Sequence, residues 1–205
     1  MQTGSYRVKE ELIRTLILRS EIWQILRRIK PEKHLVSLKP RDTSQLPFLD
    51  RTQQIPSNLL YDTTVYIDVL QRRFPYEPQV TLRAAGTWHS PATEAELILL
   101  CGFLNPTHPK TRNAVQEIIS TLDQRRAHRT IVPDREVWME ASVLSGLLAR
   151  LQKYSSTDRR RALFDALLFA TARKHGLTVL TRNRTDFDFL QQLAPSGRVL
   201  FYERI

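Results

Sequence analysis

The sequence predicts an α/β protein, a three-layer α/β/α sandwich on a central parallel sheet, with a helical extension ahead of it. Three observations carry this prediction. Short apolar runs at Asn58-Leu-Leu-Tyr61 and Leu177-Thr-Val-Leu-Thr181 give way to polar residues at once, the first leading straight into a helical pattern, and repeated strand-then-helix order marks a parallel sheet with helices on both faces. Ala162, Leu163, Phe164, Ala166, Leu167, Leu168, Phe169, Ala170 and Ala172 place apolar groups all round a helical period, so that helix is expected to be buried on nearly every side. Arg198 to Tyr202 reads as a final edge strand.

Taken in order, residues 5–30 form one amphipathic helix with Val8, Leu12, Leu16, Trp23, Leu26 and Ile29 near one face, and Pro31 stops it. That stripe either packs on the chain's own domain or docks a partner groove or a membrane surface. Residues 39–56, with three prolines and little periodicity, are a linker or an irregular wrap, which divides the chain into an extension over 1–56 and a domain over 57–205. Asp62 ends the first apolar run and a helix follows over 63–71. A strand is possible at Gln79 to Arg83. Ser90-Pro91 opens a helix that carries Glu94 and Glu96 and ends near Gly102, and another runs from about Lys110 to Gln124. Arg129 to Val132 has strand character, and Pro133-Asp134 starts a helix through Trp138, Val143, Leu147 and Leu151. Asp158 is placed to cap the next helix, which ends at Lys174-His175-Gly176 with basic residues in its last turn and glycine beyond.

The chain has 205 residues, a formal net charge of +10 and a pI near 10.2, which points to a polyanionic partner, nucleic acid ahead of an anionic membrane. A single cysteine, Cys101, excludes an intrachain disulfide framework, and scattered histidines give no zinc spacing; both fit a reducing cytoplasm. The apolar run from Leu97 to Leu104 is far shorter than the roughly 20 residues a spanning helix needs. Neither a signal peptide nor a membrane anchor is expected.

Asp165 is the residue on which the functional reading turns. A carboxylate amid that apolar helix is costly unless it is protonated, paired with a cation such as Arg161, or set at a cavity mouth on a metal. In a parallel α/β sheet, residues just after a strand and residues in early helix turns share one rim. Asp62, Glu96, Asp165 and Asp186 can therefore converge there. Alternatives stay open for three of them: Asp62 as a helix cap, Glu94 in place of Glu96, and Asp188 in place of Asp186. Asp186 is favoured because Phe187 can anchor its loop in the core, whereas Asp188 reads as a cap or a solvated acid. Converging carboxylates repel unless a hard cation neutralises them, and an oxygen-only site suits Mg²⁺ or Mn²⁺. On a basic chain, that chemistry is phosphodiester cleavage.

Leu60-Tyr-Asp62-Thr63, Ala95-Glu96-Leu97, Phe164-Asp165-Ala-Leu-Leu-Phe-Ala-Thr-Ala172 and Leu180-Thr-Arg-Asn183 with Asp186-Phe187 resemble the successive acidic motifs of PIN-domain nucleases, in spacing closest to the VapC-type toxins. The resemblance covers roughly residues 57–205, and Asp165 to Phe187 is its most specific part. It implies a PIN-like fold, a Mg²⁺- or Mn²⁺-dependent endoribonuclease acting on single-stranded regions of RNA, and a homodimer inhibited by a small antitoxin protein. Asp62, Glu96, Asp165 and Asp186 would carry the metal site, supported by Thr181 and Asn183. Arg159, Arg160, Arg182 and Arg184 are candidates to hold substrate phosphates. The family's domain normally begins near the initiator methionine, so the N-terminal 56 residues here are a departure. A non-catalytic nucleic-acid-binding module, or a PIN-like nuclease acting in RNA processing or on structured DNA, is the alternative function.

Overall fold

The computed structural model describes residues 3–75, 86–125 and 127–205, without the side chains of 3–14 and 16. The strand expected at Gln79 to Arg83 lies outside the described residues. The described elements are α1 (Thr3–Ile29), β1 (Asn58–Tyr61), α2 (Thr63–Leu70), β2 (Gly86–Trp88), α3 (Pro91–Phe103), α4 (Thr111–Asp123), α5 (Arg135–Leu151), α6 (Ser156–Lys174), β3 (Thr178–Thr181), α7 (Arg184–Leu193) and β4 (Arg198–Phe201). The four strands form one sheet in the order β2-β1-β3-β4, and every pairing is parallel. This is the α/β architecture that the strand-then-helix order predicts.

Alternation along the strands builds the three layers, because successive side chains leave opposite faces of the sheet. Leu60, Val179, Val199 and Phe201 point into the main core with Leu144 and Leu148 of α5, Ala166 and Ala170 of α6, and Phe187 and Leu190 of α7. Their neighbours Leu59, Leu180 and Leu200 face the other way, onto Val65 of α2, Phe74 and Tyr202. A third cluster of Tyr66, Leu97 and Ile118 joins α2, α3 and α4.

β2 is not among the strands that the sequence predicts, and a glycine within a strand, here Gly86, weakens the pattern that would mark it. A Cβ there would lie only 2.7 Å from the Ser57 carbonyl oxygen and 2.9 Å from Asn58 Oδ1, so the strand can approach β1 only through glycine. The strand expected at Arg129 to Val132 is reduced to a 3₁₀ turn over Ala127–Arg129 and one bridge between Thr130 and His89. Ser155, not Asp158, caps α6. Its hydroxyl accepts from Asp158 N at 3.2 Å and donates to the Asp158 carboxylate at 2.5 Å, so Asp158 belongs to the first turn.

The N-terminal extension packs on the domain through the C-terminal end of the expected stripe, where Ile29 is buried and Leu26 half-buried, and through neighbouring Ile25. Ile25 and Ile29 are buried in the main core, whereas Trp23 is 52% exposed. Arg28 and Arg173 both donate to the buried carboxylate of Glu140, tying α1 to α5 and α6. Val8, Leu12 and Leu16 lie outside the described side chains. Residues 39–56 form the irregular wrap rather than a free linker: Leu46, Phe48 and Leu49 are buried, and Phe48 bridges Phe201 in parallel while Phe201 N donates to the Pro47 carbonyl at 2.8 Å. β4 is therefore partly covered on the side where an open edge was expected.

Candidate nuclease site

Because the strands are parallel, Tyr61 and Thr181 end on the same edge of the sheet, and the polar residues that follow them meet there. Asp62 leaves β1, caps α2 and is 3% exposed. Its carboxylate accepts from Thr63 N at 2.7 Å, Thr64 Oγ1 at 2.6 Å and, across the rim, Thr181 Oγ1 at 2.7 Å. The cap role and the rim position thus coexist in one side chain, since two carboxylate oxygens have lone pairs for both. Burial pushes the Asp62 carboxyl above its ordinary pKa, and the hydroxyl and amide donors only partly offset this.

Glu96 reaches the rim from α3, where its carboxylate accepts from Thr63 Oγ1. Glu94, half a turn away, instead faces Arg125 at 3.3 Å. Burial raises the Glu96 carboxyl, and the nearby Asp62 charge raises it further. Asp165, half-buried on α6, is the most strongly perturbed of the four. Its carboxyl stands well above the usual carboxylate range, first through burial and then through repulsion by Asp62, Asp186 and Glu96. Three acids from three other elements thus act on one group.

Asp186 sits in the first turn of α7, and Asn183 caps that helix by accepting from Asp186 N at 3.3 Å. The Asn183 amide donates to Asp165 Oδ2 at 3.2 Å and to Asp186 Oδ2 at 2.9 Å, holding the two acids on either side of one NH₂ group. Thr181 Oγ1 in turn accepts from Asn183 N at 2.9 Å while donating to Asp62. Tyr154, which the sequence reading missed, donates its hydroxyl to Asp186. Tyr154 lies in the polar break before α6, and nothing in its local sequence marks it. Among the described residues no three acid, histidine or cysteine side chains stand close enough to enclose an ion as they are. The rim is closed instead by threonine, asparagine and tyrosine donors. The donor set is nevertheless all oxygen at the four acids, and their mutual repulsion is the kind a hard divalent cation relieves.

A family model described as PIN domain matches residues 59–190, well over half of the chain. The chain belongs to the PIN-domain family. That places it among nucleases, hydrolases of phosphodiester bonds. Two solved structures share the fold with this PIN-domain chain at a TM-score of 0.50: VapBC2 from Rickettsia felis bound to a DNA fragment from its promoter (12% identity, 71% of this chain and 98% of that one), and DNA-bound VapBC from Salmonella typhimurium (16% identity, 70% and 97%). FitAcB from Neisseria gonorrhoeae also matches, at 24% identity and a TM-score of 0.47, over 70% of this chain and 96% of that one. No curated protein sequence matches.

Other residues expected near the PIN-domain rim take different roles. Arg182 does not project as a free cation: its Nε donates to Asp68 Oδ2 at 2.7 Å, and Tyr202 donates to the same oxygen at 2.8 Å. Asp68 is fully buried on α2, and a charge among Val65, Ile67, Val69 and Leu70 is the same signal that singled out Asp165. Arg184 contacts Thr43 at 3.4 Å and Glu203 at 3.9 Å, and Arg159 donates to the Tyr154 carbonyl at 3.2 Å. Arg160 is exposed and forms no ion pair with the described residues. Asp188 is neither a cap nor solvated. It is 1% exposed and ion-paired with Arg41. Among the described residues no helix is long and apolar enough to cross a membrane.

Proposed function

We propose that this PIN-domain protein is a Mg²⁺- or Mn²⁺-dependent endoribonuclease that works as the toxin of a type II toxin–antitoxin pair. The observation that carries the catalytic part is the convergence of three other acids on Asp165, at the C-terminal edge of a parallel sheet in a chain of net charge +10. Asp62, Glu96, Asp165 and Asp186 would hold the metal, which supplies a water of lowered pKa and stabilises charge on the phosphate. The chain's own residues do the rest. Thr63, Thr64 and Thr181 fix both oxygens of Asp62; Asn183 sets the spacing of Asp165 and Asp186; Tyr154 fixes the second Asp186 oxygen. Such outer donors orient ligating carboxylates and matter to both affinity and rate. The RNA substrate, the antitoxin and the homodimer follow from the likeness of the motifs to VapC-type toxins, and the basic charge supports a polyanionic substrate.

Purified protein is expected to cleave single-stranded RNA, to lose that activity in EDTA and to regain it with Mg²⁺ or Mn²⁺. Asp165→Asn should be inactive and should relieve any growth arrest that expression of the wild type causes, and sequencing of new RNA ends in the arrested cells gives the cleavage sites. Wild-type protein without metal-dependent cleavage across a broad RNA panel removes the reading. Cleavage of structured DNA in place of RNA redirects it.

A further inference from the structure

We infer that Arg161 binds the phosphodiester backbone of the substrate beside the acidic rim, as the positively charged half of the site; this rests on the nuclease reading above. Four carboxylates repel an incoming polyanion, so a substrate phosphate needs a cation near them that is not already engaged. Arg161 lies four residues, one helical turn, before Asp165 on α6, which puts the two side chains on the same helix face. It is exposed and forms no ion pair with the described residues.

Arg160 is equally open but lies five residues before Asp165, about 140° round the helix from it, and the other neighbouring arginines are engaged. Arg182 is bound to buried Asp68, and Arg125 is buried against Glu94 with its guanidinium 4.1 Å above the Tyr66 ring. Arg159 turns back to its own helix start at Tyr154. Arg161 therefore combines an open guanidinium with a place one helical turn from Asp165. A guanidinium stays charged throughout the working pH range, and its planar fork matches two oxygens of one phosphate.

The test uses the full chain and a short 5′-fluorescein-labelled single-stranded RNA of mixed sequence. Binding is followed by fluorescence anisotropy in EDTA over a NaCl series, and cleavage in Mg²⁺ gives KM and kcat. Arg161→Ala is expected to weaken binding and raise KM by about tenfold with little change in kcat, the scale of one charged hydrogen-bonding contact. It should also lower the log–log salt slope by about one. Arg161→Lys should recover part of the affinity and the full salt slope. Arg112→Ala, which removes an exposed charge on α4, is the matched control and should leave both unchanged. Arg161→Ala binding with wild-type affinity and slope overturns the inference, and so does a loss confined to kcat. Wild type that binds but does not cleave removes the nuclease reading, and the binding slopes still decide the role of Arg161. Wild type that neither binds nor cleaves removes both.

Discussion

Asp188 accepts a hydrogen bond from the backbone N of Arg41 at 2.8 Å and another from the Arg41 guanidinium, joining α7 to the N-terminal wrap across 147 positions of sequence. Gln192 adds a third donor, at 3.1 Å. Two residues earlier on the same helix, Asp186 is held by Asn183 and Tyr154. Positions two apart on a helix are about 200° apart in angle, so the two aspartates leave opposite sides of α7. Asp186→Asn is expected to lower turnover by two or more orders of magnitude if a metal ligand is lost, with little change in melting temperature. Asp188→Asn should do the reverse. Neutralising one half of a buried, partly accessible ion pair costs ~2 kcal/mol, or roughly 4–8 °C for a chain of this size. Melting curves and kcat measured side by side decide this, and equal losses of activity in the two variants would overturn the division of roles.

The acids of the rim also set a pH signature. Asp62, Glu96 and Asp165 all have carboxyls raised by burial, and the last is raised further by its three acidic neighbours. A raised carboxyl means that the folded state holds the proton more tightly than the unfolded chain. Stability from this source is complete below the ordinary carboxylate pKa and falls as pH rises through the raised value. Asp134 and Glu136, drawn down chiefly by hydrogen bonds from Lys174, act in the opposite sense. The informative quantity is therefore a difference. In EDTA, Asp165→Asn should melt higher than wild type, with the gap opening as pH increases from about 4 toward 7. A gap that stays constant with pH contradicts the repulsion at Asp165.

Much of this rim was legible because a carboxylate in an apolar helix has few ordinary roles. That reasoning found Asp165, and the strand-end position found Asp62. It applies equally to Asp68, whose fully buried carboxylate is matched by Arg182 and Tyr202 instead of lying at the rim. Local pattern shows that a charge needs a partner; it does not show which one. The Asn183-Arg-Thr-Asp186 spacing contains the cap of α7, yet reading Asp186 as a loop residue left Asp188 open as its alternative. The bond from Asp188 to Arg41 is invisible in sequence because only the packing of the wrap against α7 creates it.

Arg182 is expected to contribute to folding and not to substrate affinity. Arg182→Ala leaves the Asp68 carboxylate buried with Tyr202 as its remaining side-chain donor among the described residues. The guanidinium side is 35% exposed, so solvent screening moderates the cost to ~2 kcal/mol. RNA affinity and its salt slope should match wild type at a temperature where the variant is folded. A reduced salt slope with an unchanged melting temperature returns Arg182 to the substrate surface.

The N-terminal helix gives the last contrast, because its apolar residues have different surroundings. Ile25 is 2% exposed within the main core, next to the Arg28–Glu140–Arg173 cluster that clamps α1 onto α5 and α6. Trp23 is half out in solvent although it belongs to the stripe that the sequence pattern favours. Amphipathic spacing shows that a helix has an apolar side, but the packed side also depends on where charged partners sit. Arg28 reaches the buried Glu140 carboxylate from the surface, on the end of the helix where Ile25 and Ile29 enter the core. Ile25→Ala should cost ~2–4 kcal/mol, the usual range for truncating a large aliphatic side chain in a core. Trp23→Ala should stay within about 0.5 kcal/mol, as for most surface changes. Thermal or urea melts of the two variants compare them directly. A loss at Trp23 as large as that at Ile25 means that α1 packs through Trp23 as well.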